Sequence, residues 1–276
     1  MSLRGKVEIV GMTDTGRVRT HNEDYIGLDE DLGLAVLADG MGGTRAGEVA
    51  SAMAVSVVTD ELRSALPGLP VRTGEDEVAA SFSAESDLIG RSVARANASI
   101  YSVAQSQPQC AGMGTTLVVM LFYDNRFTVA HVGDSRLYRL RRGDLEQVTV
   151  DHSLIQELID RGFYTPQEAR RSANRNIVTR ALGIAPEVEY DLQEEVAIQG
   201  DIFLLCSDGL NDMLEDQDIA ALIGDAETDL QAACKRLVDA ANDCGGKDNV
   251  SVMLARVLKP YPARSGLFGK LTRWFE

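Results

Sequence analysis

Residues 115–150 read TTLVVMLFYDNRFTVAHVGDSRLYRLRRGDLEQVTV, four apolar runs separated by turn residues. The runs Thr115 to Phe122, Arg126 to Val132, Arg136 to Arg141 and Leu145 to Val150 are rich in β-branched, aromatic and leucine side chains, which suit a pleated surface. Asp124-Asn125 and Arg142-Gly143-Asp144 lie between them, and Asn, Asp and Gly tolerate the left-handed backbone of a tight hairpin. Strands joined by links this short form a meander, so the sheet is expected to be antiparallel.

On the amino-terminal side, residues 7–13, 25–30 and 33–38 read as three more strands. From Ala46 to Leu66, Val49, Met53, Val57 and Leu62 recur at helical intervals, and the pattern stops before Pro67, which has no N–H for a continuing helix. Residues 67–83, with two prolines, two glycines and several acids, read as a loop, and a second helix runs from about Ser86 to Gln105. On the carboxyl-terminal side, residues 153–183 turn helical and polar, with Thr165 as an N-cap, Pro166 at the first helical position and Glu168 at the third. Strands resume at 187–196 and 201–207, helices at 215–223 and 227–244, and a strand at 249–258.

Strands and helices do not alternate one for one in this order, which disfavours a doubly wound parallel sheet. The expected class is α+β: a four-layer α-β-β-α sandwich of two stacked, mainly antiparallel sheets flanked by helix pairs. A chain of 276 residues supports one large core, expected over residues 1–258, with 153–183 as an insertion and 259–276 as a tail. In that tail Leu267, Leu271, Trp274 and Phe275 fall at helical spacing beside Lys270 and Arg273, a pattern suited to a membrane interface or partner as well as to the protein's own surface.

A formal charge of −15 argues against nucleic acid, which is bound by basic stripes that release counterions. The first residues, MSLRGKVEIV, contain no sustained apolar core of a signal peptide, so a cytoplasmic protein is expected. It is also expected to be a monomer. Cys110, Cys206, Cys234 and Cys244 form no CxxC pair and are expected to be reduced thiols.

Five aspartates occupy similar local settings. Asp39 follows LGLAVLA, Asp134 follows FTVAHVG and Asp208 follows DIFLLCS, while Asp24 and Asp248 sit in Asn-containing turns. Strand ends or turns deliver each carboxylate, so residues far apart in sequence can converge on a hard divalent cation. Competing motifs fail. A cysteine-based phosphatase needs Arg six residues after the nucleophile, where this chain has Thr116, Asp212, Ala240 and Val250. In a P-loop reading, Glu48 stands where Lys is required, and Asp14-Thr15-Gly16 has no second copy to complete an aspartic protease dyad.

Six segments occur in one order: Arg19-Thr20-His21-Asn22-Glu23-Asp24, Asp39-Gly40-Met41-Gly42-Gly43, Gly112-Met113-Gly114-Thr115-Thr116, Gly133-Asp134-Ser135-Arg136, Ser207-Asp208-Gly209-Leu210 and Lys247-Asp248-Asn249-Val250-Ser251. Together they resemble the metal-dependent protein serine/threonine phosphatases of the type-2C family, in its bacterial form, from about Val7 to Val257. The resemblance implies a binuclear Mn²⁺ or Mg²⁺ centre with Asp39 bridging both ions, the Gly40 carbonyl on one, and Asp208 and Asp248 on the other. Glu23 and Asp24 would orient water or ligate directly. Asp134, with Asp208 and Asp212, would hold a third ion, and Arg19 would bind the phosphoryl group. It further implies direct attack by water on phosphoserine or phosphothreonine in proteins, opposing a bacterial serine/threonine kinase, and makes residues 153–183 a flap beside the site.

Two alternatives stand beside that expectation: a partner-switching phosphatase acting on an anti-sigma antagonist, and an inactive module that only binds phosphoproteins. One position departs from some relatives, which carry His after the Asp-Gly pair where this chain has Met41. The proton for the leaving oxygen is then expected from a water near Asp134, with His21, His131 and His152 as alternatives.

Overall fold

A computed structural model describes residues 2–42, 46–69, 82–165, 168, 172, 176–224 and 229–262. Eleven strands build two sheets among these residues. The first joins β1 (Val7–Asp14), β11 (Val250–Val257), β10 (Ile202–Cys206), β7 (Arg136–Arg141) and β8 (Asp144–Gln147) in that order. The second joins β2 (Asp24–Asp29), β3 (Leu34–Met41), β5 (Leu117–Tyr123), β6 (Arg126–Val132) and β9 (Asp191–Val196), with the short β4 (Gly114–Thr115) paired to β3. Every paired strand is antiparallel, as expected, but the 115–150 run is not one meander: the β5–β6 hairpin lies in the second sheet and the β7–β8 hairpin in the first, and Gly133-Asp134-Ser135 carries the chain across between them.

Side-chain alternation explains why the strands read as unbroken apolar runs. In β5, Leu117, Val119 and Leu121 face the helices α1 (Ala46–Ala65) and α2 (Ala84–Ser106), while Val118, Met120 and Phe122 face the opposite sheet. In β10, Ile202, Leu204 and Cys206 face the helices α5 (Asp216–Gly224) and α6 (Leu230–Asp243), and Phe203 and Leu205 point inward. Three apolar layers therefore separate four structural layers, the arrangement expected from sequence, with both faces of each central strand buried. Between the sheets Phe203 packs edge-on to Phe122 at 5.5 Å and tilted on Phe127 at 4.7 Å, and Tyr261 covers Phe122.

Both predicted hairpins are two-residue turns with positive φ, Asp124-Asn125 (44° and 58°) and Arg142-Gly143 (56° and 91°), and Asp144 already belongs to β8. The Thr165 cap is present: Glu168 Oε2 accepts from the Thr165 backbone N–H, and the Glu168 N–H donates to Thr165 Oγ1. All four cysteines are free thiols. No helix among the described residues is long and apolar enough to cross a membrane.

Several expectations change, among them the strands expected at 187–196 and Leu145 to Val150, which span only Asp191–Val196 and Asp144–Gln147. The strand expected to stop at residue 38 continues to Met41, because Asp39 pairs with Asp24 and Gly40-Met41 pair with β4. The 153–183 excursion is not helical throughout its described residues: α3 covers only Leu154–Asp160, after which Ile177 and Thr179 exchange backbone hydrogen bonds with Leu154 and His152. Leu182 then returns to pair with Thr115 and enter the helix-side core, which holds that stretch extended. A one-turn helix, α4 (Asp208–Asn211), also follows β10 where only a turn was expected. The amphipathic tail positions 267–275 lie outside the described residues.

Candidate metal centre

The carboxylates gather at one end of the space between the sheets. Ala35 and Leu37 point into that space from β3, and by the two-residue period Asp39 continues their row. Asp24 lies opposite Asp39 in the β2–β3 register, and Ile26 carries the same face back toward the apolar core. From the other sheet, Ser207 and Asp208 follow β10, and Asp248 precedes β11 by two residues.

A pocket of about 340 Å³ is lined by Asp39, Gly40, Asp134, Asp208 and Asp248, with Arg19, Glu23 and Met41 at its walls. Asp24 lies beneath it, 5% exposed, with Oδ2 accepting from Ser207 Oγ at 2.8 Å and Oδ1 buried without a hydrogen-bond partner. Asp208 Oδ1 is buried in the same condition. Asp212 donates its backbone N–H to the Asp208 carbonyl, and its side chain lines an adjoining cleft together with Asp134 and Asp208.

Local chemistry fixes these positions. The Asp39 N–H donates to Thr116 Oγ1, whose hydroxyl also bonds Ser135 Oγ, while the Asp39 carbonyl accepts from Thr115 Oγ1 and Thr116 N. Gly40 has to be glycine: a Cβ there would lie 2.1 Å from the Gly47 carbonyl oxygen and 2.7 Å from that of Glu23. Asn249 ties the 15–23 loop to Asp248, since its Oδ1 accepts from Glu23 N and its Nδ2 donates to the carbonyls of Thr15 and His21. Arg19 reaches over the rim, half exposed, and donates to Asp248 Oδ2 at 2.6 Å.

Electrostatics make this arrangement costly without a counter-charge. Desolvation, then the charges of Asp24 and Asp208, hold Asp39 well above the usual carboxylate range. Asp208 is held there by desolvation and then by Asp134 and Asp248. Desolvation also pushes Asp24 and Asp134 up to about 6, with Asp151 the next contributor at Asp134, and raises Glu23. The Arg19 guanidinium is raised, chiefly by its hydrogen bond to Asp248. Converging carboxylates with orphaned oxygens, a backbone carbonyl and no other protein cation among the lining residues make an all-oxygen donor set suited to hard divalent cations.

The histidines stand apart from this pocket. His131 is buried, its Nε2–H donates to the Val150 carbonyl, and its ring stacks on His152 at 4.5 Å. His131, His152 and Asp191 are close enough to suggest a second cation site. However, His152 Nδ1 accepts from Gly133 N, and Nε2 is already flanked by the Arg180 guanidinium at 3.3 Å and Asp191 at 3.5 Å, so a cation there would meet a competing positive charge. Desolvation lowers the pKa of both rings, keeping the stack neutral. Neither ring lines the carboxylate pocket, nor does His21, which is exposed.

The chain matches the protein phosphatase 2C family over residues 15–259. It belongs to that family. A serine/threonine protein phosphatase of Mycobacterium tuberculosis, PstP, is 38% identical over 248 residues, covering 89% of this chain and 44% of the relative, so the chain spans less than half the length of that protein. The serine/threonine phosphatase stp of Listeria monocytogenes is 36% identical over 247 residues, 88% of this chain and 92% of the relative. A crystal structure of the PstP catalytic domain in complex with two manganese ions superposes with a TM-score of 0.77 at 36% identity, covering 92% of this chain and 99% of that one. As a protein phosphatase 2C member the chain has the two-sheet architecture of its relatives. Residues without a predicted role also matter here: Asn249 and Ser207 were visible only as neighbours of aspartates, and Asn176 and Val178 reach the pocket from the far side of the 153–183 excursion.

Proposed function

We propose that this protein hydrolyses phosphoserine and phosphothreonine in proteins with two Mn²⁺ or Mg²⁺ ions, acting as a single domain over residues 1–258. The observation that carries the reading is the convergence of Asp24, Asp39, Asp208 and Asp248 with orphaned oxygens on Asp24 and Asp208. Asp39 and the Gly40 carbonyl would hold one ion, and Asp39, Asp208 and Asp248 the other. Asp24 and Glu23 would support bound waters, and Asp134 with Asp208 and Asp212 would take a third ion. When bound, such ions lower the pKa of water toward roughly 7 and offset the charge of the phosphoryl oxygens.

The chain's own residues do the rest. Arg19 presents a guanidinium fork at the rim, where it can shift from Asp248 to the phosphoryl oxygens and hold them as charge develops. Asn249 keeps the Arg19 loop and Asp248 in register, so the phosphate clamp and the ligand set move as one unit. Met41 offers no proton at the position beside the Asp-Gly pair, and the displaced histidine stack leaves water held near Asp134 as the source for the leaving oxygen. Four unpaired cysteines suit the cytoplasm, where such a phosphatase opposes a serine/threonine kinase in signalling.

The test is hydrolysis of a phosphothreonine peptide by the purified protein with Mn²⁺ and after EDTA. Turnover with Mn²⁺ that disappears with EDTA and returns on adding Mn²⁺ is expected. Equal turnover in both conditions would remove the binuclear reading, and binding without turnover in either would make the protein a phosphoprotein-binding module.

A further inference from the structure

Beside the carboxylate pocket opens a second cleft of about 370 Å³, which shares Asp134, Asp208 and Asn176 with it. One wall is α3, whose Leu154, Ile155, Leu158 and Ile159 are aliphatic although none of its residues is fully buried. Ile155 and Ile159 line the cleft. The opposite wall is the 211–216 segment, which contributes Met213 and, at the rim, Glu215 and Asp216.

Among the described lining residues the charge of this cleft is predominantly negative. Its basic lining residue, Arg136, is committed: its guanidinium donates to both carboxylate oxygens of Asp151 and to the Tyr138 hydroxyl. Among the described residues Asp216 accepts a long hydrogen bond, 3.4 Å, from Tyr138. An aliphatic floor under an acidic rim fits a side chain with an apolar stem and a cationic head, because lysine and arginine lay their methylenes on apolar surface while the charge stays at the edge.

Resting on the phosphatase reading, we propose that this cleft seats a lysine or arginine of the protein substrate flanking the phosphoresidue, its stem on Ile155 and Ile159 and its head beside Glu215 and Asp216. The continuity of the two cavities sets the occupant: a chain whose phosphoresidue enters the carboxylate pocket passes Asn176 directly into the cleft. Because the cleft lies on one side of the pocket, the preference holds on one side of the phosphoresidue and not the other.

The experiment compares phosphothreonine peptides carrying lysine, norleucine, alanine or glutamate at each flanking position, with p-nitrophenyl phosphate as a substrate that cannot reach the cleft. At one position lysine should raise kcat/KM over alanine by about two- to fivefold, as expected for partly exposed charge pairs, with norleucine between them and glutamate lowest. The double variant Glu215→Gln, Asp216→Asn should reduce lysine to the norleucine level, and Ile159→Ser should lower norleucine to the alanine level. Both variants should leave p-nitrophenyl phosphate turnover unchanged. Glu215→Lys should reverse the preference toward glutamate. Equal rates for all peptides, or a lysine preference that survives the double variant, would overturn the assignment. Loss of turnover on every substrate by the unmodified protein would instead break the phosphatase reading beneath it.

Discussion

The space between the two sheets is filled differently along its length. In the middle, Phe122, Phe127 and Phe203 interlock with aliphatic neighbours and no polar group needs a partner. At one end the same inward rows continue into Asp39 and Asp24, and like charges meet in a place still largely closed to water. A single strand thus changes task within three residues: Leu37 stabilises the fold, and Asp39 draws on that stability to stand among other carboxylates. Such a site is tolerable where the surrounding sheets over-determine the backbone and a cation supplies the missing charge.

The largest effect should come from separating the two tasks at the anionic end. Asp208→Asn is expected to lower kcat by at least about a hundredfold, since weakening even the groups that support metal ligands costs 10–100-fold. The same substitution should raise the melting temperature of the EDTA-treated protein by removing one repelling charge. A lower melting temperature would show that the carboxylates are not in conflict. In the apolar middle, Phe203→Ala should destabilise by about 3–5 kcal/mol in denaturant unfolding and leave turnover per folded molecule unchanged.

Acidity sharpens the contrast. Asp24 and Asp134 rise from the ordinary aspartate value of 3.8 to about 6, so the folded protein binds protons that the unfolded chain has already released. Metal-free stability should therefore be greatest below about pH 4 with respect to these groups, fall as pH rises toward 6, and level off above it. Excess Mn²⁺ should oppose that fall, which thermal melting across pH with and without EDTA measures. The smallest effect is expected at the rim, where Arg19→Lys keeps the charge but loses the fork, raising KM by about tenfold or less, while Arg19→Ala costs more.

Much of this is legible in the sequence. Period-two alternation with both faces buried turns strands such as β5 and β10 into continuous apolar runs, and positive-φ turn residues marked both hairpins. The positions of Asp39, Asp134, Asp208 and Asp248 were legible because glycines that permit close backbone approach stand beside or near them. The end of β3 was misjudged because Asp and Gly signal turns locally, whereas pairing with Asp24 and β4 holds them extended. The excursion after residue 153 was misread for a related reason: residues 177–182 owe their shape to partners at Leu154, His152 and Thr115, which a local pattern does not reveal. Asn249 looked like a turn residue, and only the fold shows it joining loops more than two hundred positions apart.

The placement of β11 between β1 and β10 has a consequence for how the molecule comes into being. A chain growing on the ribosome can pair β2, β3, β5 and β6, and later β7, β8 and β10, while synthesis continues, but β1 cannot join the first sheet until residues 250–257 emerge between it and β10. Asp248 and Asn249 arrive with that same segment, so the closing strand and the last carboxylate of the pocket appear together. The carboxylate cluster is then a property of the finished fold, and a half-made chain lacks it.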